Sequence, residues 1–343
     1  MKNVAIICEY NLFHKGHKYQ IEQIRDNFNN CCVIALMSGN FVQRGDVAVL
    51  DKYVRAKTAC ENGVDIVFEL PYPYSGGSAE YFARGAVTIL NKLNNIDILC
   101  FGSESGDLDQ LELMAERLSE FKNIKPYENI SYIKQMQNLY EQTYNEPFVT
   151  KPNDILGVEY LKALKNSKIE PFVIKRLPNY SATITRKLFW EQPYGNPAKL
   201  NNVEKYILMY LRSIGATEGL EYLIKNSGNE SVTLDELYKL CANKKYTNAK
   251  IRRTILNILL NTTEQMLKAE PTFVNLLAAN DVGRKYLKNN FDIYIITKPA
   301  HYKNLTDTKQ YEHSINADKF YTMAMANPQK ADYFLKQKPF IKE

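Results

Sequence analysis

The sequence predicts an α/β protein: a parallel sheet covered by helices over residues 1–195, followed by a mainly α-helical domain over 196–343. Three observations predict it. Short apolar runs alternate with helix-patterned stretches through the first hundred residues, the signature of parallel strands joined by crossover helices. Each run is followed by a polar loop containing glycine. After Trp190 the pattern turns helical, with Pro193, Gly195 and Pro197 marking a boundary.

Residues 4–8 read as a buried strand, and Tyr19, Ile21 and Ile24 set the period of a helix over 17–27. The run 31–37 is the second strand, followed by a loop at 38–46 and a helix over 52–62. A third strand at 65–70, a Pro/Tyr/Gly loop, a helix over 79–93 and a fourth strand at 96–101 complete the alternation. In such sheets ligands bind beyond the carboxyl ends of the strands, so the loops after Cys8, Met37, Leu70 and Phe101 are expected to gather at one edge. Residues 107–150 are helical and polar, with no assignable chemistry. Asn153 suits the N-cap of a helix over 155–164, and 171–176 reads as a further strand. Beyond 200 come helical patterns such as 203–211 and 251–260, with one late apolar run at 291–296.

Composition is that of a globular protein with a substantial core. The formal charge of +6 is compatible with a polyanionic partner. Six cysteines, at 8, 31, 32, 60, 100 and 241, show no CxxC spacing and read as small core residues of a reducing compartment. Glu9 and Asn11 interrupt the first apolar run too early for a signal peptide, and no stretch approaches a membrane span. A cytoplasmic location is expected.

Two of the four histidines, His14 and His17, flank Gly16 between the first strand and its helix. A glycine-containing turn at a helix N-terminus offers free N–H groups and the positive end of the helix dipole to an anion. Imidazoles placed there can donate hydrogen bonds to phosphoryl oxygens as charge develops; a capped surface turn would look the same. Arg44, between Gly39 and Gly45, suits closure over a triphosphate, or equally a solvated surface position. A second phosphate-type segment, Ser181-Ala-Thr-Ile-Thr-Arg186, lies between Arg176 and the change of pattern. Gly102, directly after a strand, leaves room for a base or ribose, and a simple tight turn would look the same. In the helical half Lys239, Lys244, Lys245, Lys250, Arg252 and Arg253 are interleaved with Tyr238 and Tyr246. That is the pattern of a phosphate-backbone contact surface, or equally of a solvated helix face. The nearest acids in sequence are Asp235 and Glu236. His301 and His313 lie apart from any cysteine, so no protein-bound metal is expected, and Mg²⁺ would travel with a triphosphate.

The turn and the segment at 181–186 resemble the nucleotidyltransferase superfamily, with its Rossmann-like parallel-sheet domain. A longer set of motifs is similar to the bacterial tRNA(Met) cytidine acetate ligase family: Glu9-Tyr-Asn-Leu-Phe-His-Lys-Gly-His17, Met37-Ser-Gly-Asn-Phe-Val-Gln-Arg-Gly-Asp46 and Ser78-Ala-Glu-Tyr-Phe-Ala-Arg-Gly-Ala-Val87. Phe101-Gly-Ser-Glu104, Asn153-Asp-Ile-Leu156 and Ile295-Ile-Thr-Lys-Pro299 continue it in order. Leu12 and Lys15 depart from the proline and asparagine expected in the turn, and the segment before Ser181 is short.

The resemblance implies a ligase that makes acetyl-adenylate from ATP and acetate, then transfers acetyl to N4 of the wobble cytidine of elongator tRNA(Met). It places ATP along Ile7, Cys8, Glu9, Tyr10, Asn11, Leu12, Phe13, His14, Lys15, Gly16, His17, Lys18, Tyr19 and Gln20, with Gly102, Asn153 and Arg176 as further contacts. His14 and His17 would act on the phosphates. Arg44, Ser181, Thr183 and Arg186 are candidate phosphate contacts, and Lys244, Lys245, Lys250, Arg252 and Arg253 candidate tRNA contacts. Two other readings stay open: a small-molecule adenylyltransferase, and a non-catalytic RNA-binding protein with a vestigial nucleotide site. A class I aminoacyl-tRNA synthetase ranks last, because no Lys-Met-Ser-Lys-Ser-like segment is present.

Overall fold

A computed structural model describes residues 1–121, 124, 130–177, 180 and 182–343. The chain opens with β1 (Lys2–Cys8), α1 (Lys15–Asn27), β2 (Cys31–Ser38) and a hairpin of β3 (Phe41–Val42) and β4 (Asp46–Val47). Next come α2 (Lys52–Glu61), β5 (Ile66–Leu70), α3 (Ala79–Lys92) and β6 (Ile98–Ser103). Then follow α4 (Leu108–Glu120), α5 (Tyr132–Tyr144), α6 (Pro152–Leu164), β7 (Glu170–Lys175) and α7 (Ala182–Glu191). The helices α8 (Glu204–Ser213), α9 (Gly219–Glu230), α10 (Leu234–Cys241), α11 (Asn248–Leu259) and α12 (Glu264–Lys268) succeed one another. The chain ends through β8 (Phe273–Ala279), α13 (Asp281–Tyr286), β9 (Tyr294–Ile296), α14 (Lys309–Ala324) and β10 (Phe340–Ile341).

The sheet order is β10-β8-β5-β2-β1-β6-β7, with β9 also on β8. The five strands β5, β2, β1, β6 and β7 are parallel. All eight residues of β2 are buried, as a strand covered by helices on both faces must be. The chain moves outward from β1 to β2 and β5, then returns to β1's other side for β6 and β7. That reversal opens a crevice beyond the carboxyl ends of β1 and β6, where the His14–His17 turn and Gly102 lie.

The sheet takes strands from both sides of residue 195, where the sequence suggested a division. β8 pairs antiparallel with β5, and β10 and β9 pair with β8. The seven residues of β8, Phe-Val-Asn-Leu-Leu-Ala-Ala, are all buried. A continuous apolar run of this kind carries no period that separates strand from helix, which is why the sequence did not single it out. The helical segment is therefore an insertion between α7 and β8. Its core, built on Ile207, Leu211, Ile224, Leu237, Ile251 and Ile255, is continuous with Phe41 and Val47 of the hairpin. All six cysteines are free, five of them buried.

Candidate active site

The turn after β1 is held by its own imidazoles. His14 is the N-cap of α1 and His17 its third helical residue. Gly16 N–H donates to His14 Nδ1 at 3.1 Å, and His14 N–H donates to His17 Nδ1 at 3.3 Å. This is a capping box made of two histidines. The rings stack at 3.7 Å with 16° between their planes, and Tyr10 sits edge-on to His17 at 4.8 Å. Because each Nδ1 accepts, each neutral ring carries its proton on Nε2 and has that donor to offer. Burial, then the neighbouring Arg176, holds the His14 pKa below its ordinary value of 6.5. Burial, then His14 and Arg176, holds His17 well below it. At neutral pH the pair is a set of uncharged donors. Gly16 leaves the turn open: a Cβ there would stand 3.0 Å from the His14 ring.

The opposite wall is built by a reciprocal clasp between the loop after β6 and the start of α6. Glu104 accepts from the N–H groups of Asn153 and Asp154, each at 3.1 Å, and from Asn153 Nδ2 at 2.6 Å. Asp154 in return accepts from Ser103 Oγ and from Glu104 N–H at 2.8 Å. Each carboxylate satisfies the free donors of the other's segment. Asn153 is therefore inside α6, and the N-cap expected there is Lys151. Arg176 Nη1 reaches Glu104 at 3.2 Å, and Gly102 lies under Arg176 Cγ, 3.2 Å from where a Cβ would be.

The third wall is the hairpin after β2. Arg44 at its tip is exposed and forms no hydrogen bond or ion pair with a described residue. Arg186 Nη1 on α7 donates to Asn11 O at 2.8 Å. Beneath them Arg55, fully enclosed, donates to the carbonyls of Leu50 at 2.8 Å, Ser38 at 3.1 Å, and Glu9 and Gly39. It ties the loops after β1 and β2 to one donor set. Arg55 was not among the expected site residues, although a charged residue on the face shared by Ala56, Ala59 and Cys60 was a signal for it.

These walls enclose a cleft of about 1730 Å³. Of the expected residues, Ile7, Cys8, Glu9, Tyr10, Asn11, His14, Gly16, His17, Tyr19, Gln20, Gly102, Asn153 and Arg176 line it, as do Arg44, Thr183 and Arg186. Leu12 and Phe13 do not: Leu12 is buried against Val49, Leu50 and Phe189, packing that replaces the stiffness of the expected proline. Lys15 and Lys18 are exposed outside the lining. Asn11 lines the cleft but its Oδ1 accepts from Val49 N–H at 2.8 Å, a structural duty. Ser181 lies outside the described residues. Lys245, Lys250, Arg252 and Arg253 border the far side, and Lys244 does not. Trp190, the single tryptophan, lines the cleft with Lys199 Nζ 4.2 Å from its ring centroid. No group of three His, Cys, Asp or Glu among the described residues is placed to hold a metal ion.

A family model described as HIGH nucleotidyl transferase matches residues 1–190 and 197–334. A tRNA(Met) cytidine acetate ligase from Thermoanaerobacter sp. (strain X514) is 33% identical, over 94% of this chain and 96% of that protein. The chain belongs to the tRNA(Met) cytidine acetate ligase family. A member from Caldanaerobacter subterraneus subsp. tengcongensis is 32% identical, over 97% and 98% of the two chains. The crystal structure of Thermotoga maritima TmcAL bound with alpha-thio ATP matches with a TM-score of 0.88 at 26% identity, covering 99% of both chains.

In this family member the histidine turn gives a pH signature. The unfolded histidines titrate near 6.5 and the folded ones lower, so in that interval the unfolded chain binds more protons. The turn's contribution to stability is complete above pH 6.5 and is lost as pH falls through the lowered folded values. Thermal unfolding from about pH 7.5 to 5 should show a decline that a His14→Asn, His17→Gln variant lacks. Equal declines in both proteins would refute the neutral pair.

Proposed function

We propose that this chain is an ATP-dependent ligase that activates acetate as acetyl-adenylate and acetylates N4 of the wobble cytidine of elongator tRNA(Met). The observation that carries the reading is the neutral histidine pair at the α1 N-terminus, facing a cleft with Arg44, Arg176 and Arg186 on its walls. The relatives' name and the ATP analogue bound to the Thermotoga maritima protein support it.

Acetate oxygen attacks the α-phosphate, and the bond to the β-phosphate breaks to release pyrophosphate. The Nε2–H donors of His14 and His17 and the free N–H groups of α1 meet the charge that grows on the phosphoryl oxygens. Arg44 and Arg186, with Thr183, hold the departing pyrophosphate. Gly102 allows the nucleoside close to β6, and Asn153 and Arg176, fixed by Glu104, orient it. Mg²⁺ arrives with the triphosphate. In the second step the cytidine amine attacks the acetyl carbonyl, AMP leaves, and the amine loses a proton. Lys244, Lys245 and Lys250, with Tyr246 between the last two, supply phosphate contacts for the RNA. Burial, then Arg253 and Lys245, pushes the Lys250 pKa down, as expected of cations collected without an anion. No helix among the described residues is long and apolar enough to cross a membrane, and a tRNA substrate supports a cytoplasmic activity.

The test is mass spectrometry of nucleosides after incubating protein, ATP, labelled acetate and tRNA(Met). Labelled N4-acetylcytidine is expected, and none when cytidine 34 is replaced by uridine. Acetate-dependent ATP–pyrophosphate exchange without nucleoside product would favour the small-molecule adenylyltransferase; neither activity would leave the RNA-binding reading. Because Trp190 is the single tryptophan and lines the cleft, its fluorescence should change on titration with MgATP. An unaltered spectrum at saturating nucleotide would count against the placement.

A further inference from the structure

Lys250, Arg252 and Arg253 of α11 all border the cleft, but the two arginines are paired with the hairpin after β2. Lys250 lies 5.3 Å from the Tyr246 ring. Arg252 reaches the hairpin: its Nη1 is 2.8 Å from Asp46 Oδ2, and its guanidinium lies 4.1 Å from the Tyr238 ring centroid. Arg253 Nη1 donates to Gln43 O at 3.2 Å. Gln43 and Asp46 flank Arg44 and Gly45 at the hairpin tip. Gly45 has φ +78°, and a Cβ on it would stand 2.5 Å from Arg253 N. The hairpin backbone therefore rests directly on the backbone of α11.

Phe41 and Val47 pack the base of the hairpin into the core, whereas its tip, residues 43–45, has few contacts besides those with α11. The hairpin's ladder has two pairs, Phe41↔Val47 and Val42↔Asp46, and an isolated hairpin of any length is marginal in water. Its tip is nevertheless coupled to the site, because Gln43 N–H donates to Glu9 Oε1 at 2.9 Å. Orienting the Arg44 side chain toward a phosphate costs rotamer entropy, and that cost rises if the backbone beneath it also moves.

We propose that Arg252 is a positioning residue for adenylation: through Asp46 it holds the Arg44 hairpin in place for the triphosphate, and it is not a tRNA contact. The proposal rests on the reading of the cleft as an ATP site. Asp46 supports the direction of the coupling. Its carboxyl is raised by desolvation and lowered first by Arg252, so without Arg252 it would be an unpaired, half-buried acid at the rim of the cleft.

The test compares Arg252→Gln, Arg252→Lys, Asp46→Asn and the Asp46→Asn/Arg252→Gln double variant with the unaltered protein. Three quantities are measured: acetate-dependent ATP–pyrophosphate exchange without tRNA, MgATP affinity from Trp190 fluorescence or calorimetry, and tRNA affinity across a salt series. Arg252→Gln should lower kcat/KM for ATP in exchange about tenfold or more and weaken MgATP binding. Arg252→Lys should recover part of the loss, and the double variant should be no worse than the worse single one. The tRNA affinity and its salt slope should stay unchanged. A variant with normal exchange whose tRNA affinity falls and whose salt slope drops by about one would be a phosphate contact, and would overturn the proposal. So would additive losses in the double variant. If the unaltered protein shows no exchange, the reading of the site fails, and MgATP affinity alone decides the role of Arg252: weakened binding in Arg252→Gln supports it and equal binding overturns it.

Discussion

A protein carrying His14→Asn and His17→Gln is expected to fold normally yet form adenylate roughly 10³-fold more slowly. The substitutions are chosen to keep the helix start intact. Asparagine is among the best N-cap residues, and glutamine at the third helical position can reach back to the N-cap N–H as His17 does. What is lost is the pair of Nε2–H donors. Removing one preorganised donor to developing charge costs roughly 10²–10³ in kcat, and two stacked rings at 3.7 Å are close enough for their effects not to multiply fully. Circular dichroism and thermal unfolding check the fold, and ATP–pyrophosphate exchange measures the chemistry. A loss confined to KM, with kcat retained, would make the histidines binders of the ground-state phosphates rather than stabilisers of the transition state.

Replacing Lys52 with methionine is expected to destabilise the protein by about 3–5 kcal/mol, seen as a fall of roughly 4–7 °C in Tm. Lys52 Nζ lies 2.8 Å from Glu69 Oε2 and 2.7 Å from Asp318 Oδ2, with all three side chains buried. Asn40 and Asn275 complete the cluster at 2.8 and 2.7 Å. It joins the loop after β2 to α2, β5, β8 and α14. Burial pushes the Asp318 carboxyl up to about 6 even with Lys52 beside it. Without the ammonium two buried carboxylates face each other, and taking up a proton becomes the cheapest response. The folded variant then binds more protons than its unfolded chain, so its stability should be higher near pH 5 than near pH 7, opposite in sign to the histidine turn. Adding Glu69→Gln and Asp318→Asn should restore much of the loss. A Lys52→Met protein as stable as the original across that range would show that the cluster is not held by charge.

Much of the site was legible because it is local. A strand, a glycine turn and a helix start occupy consecutive residues, so His14, Gly16 and His17 could be placed on a strand-to-helix turn from the sequence. The alternation of apolar runs implied parallel strands, which sends the loops after β1, β2, β5 and β6 to one edge. Those two inferences already bring Arg44, Gly102 and the turn together.

Other assignments turned on direction and pairing, which a linear pattern does not carry. Arg252 and Lys250 are two residues apart on one helix, yet Arg252 is neutralised by Asp46, 206 positions away. The charge on α11 that lacked acids nearby in sequence is in part compensated in space. Leu12 reads as a departure in the turn and is in fact its packing anchor. The run at 273–279 has no alternation because helices and strands cover both its faces, so its place beside β5 follows from pairing alone.

By itself the sequence determined the parallel α/β unit, the histidine turn and the edge at which they meet, since each depends on short-range period and on the geometry of crossover connections. Tertiary structure alone decided that β8 closes the sheet from beyond the helical insertion, that Arg55 and the Glu104–Asp154 clasp hold the walls, and that Arg252 faces the hairpin. Those outcomes depend on which buried donors and charges find partners across long sequence separations, where the cost of an unpaired group selects one arrangement among many that the local pattern permits.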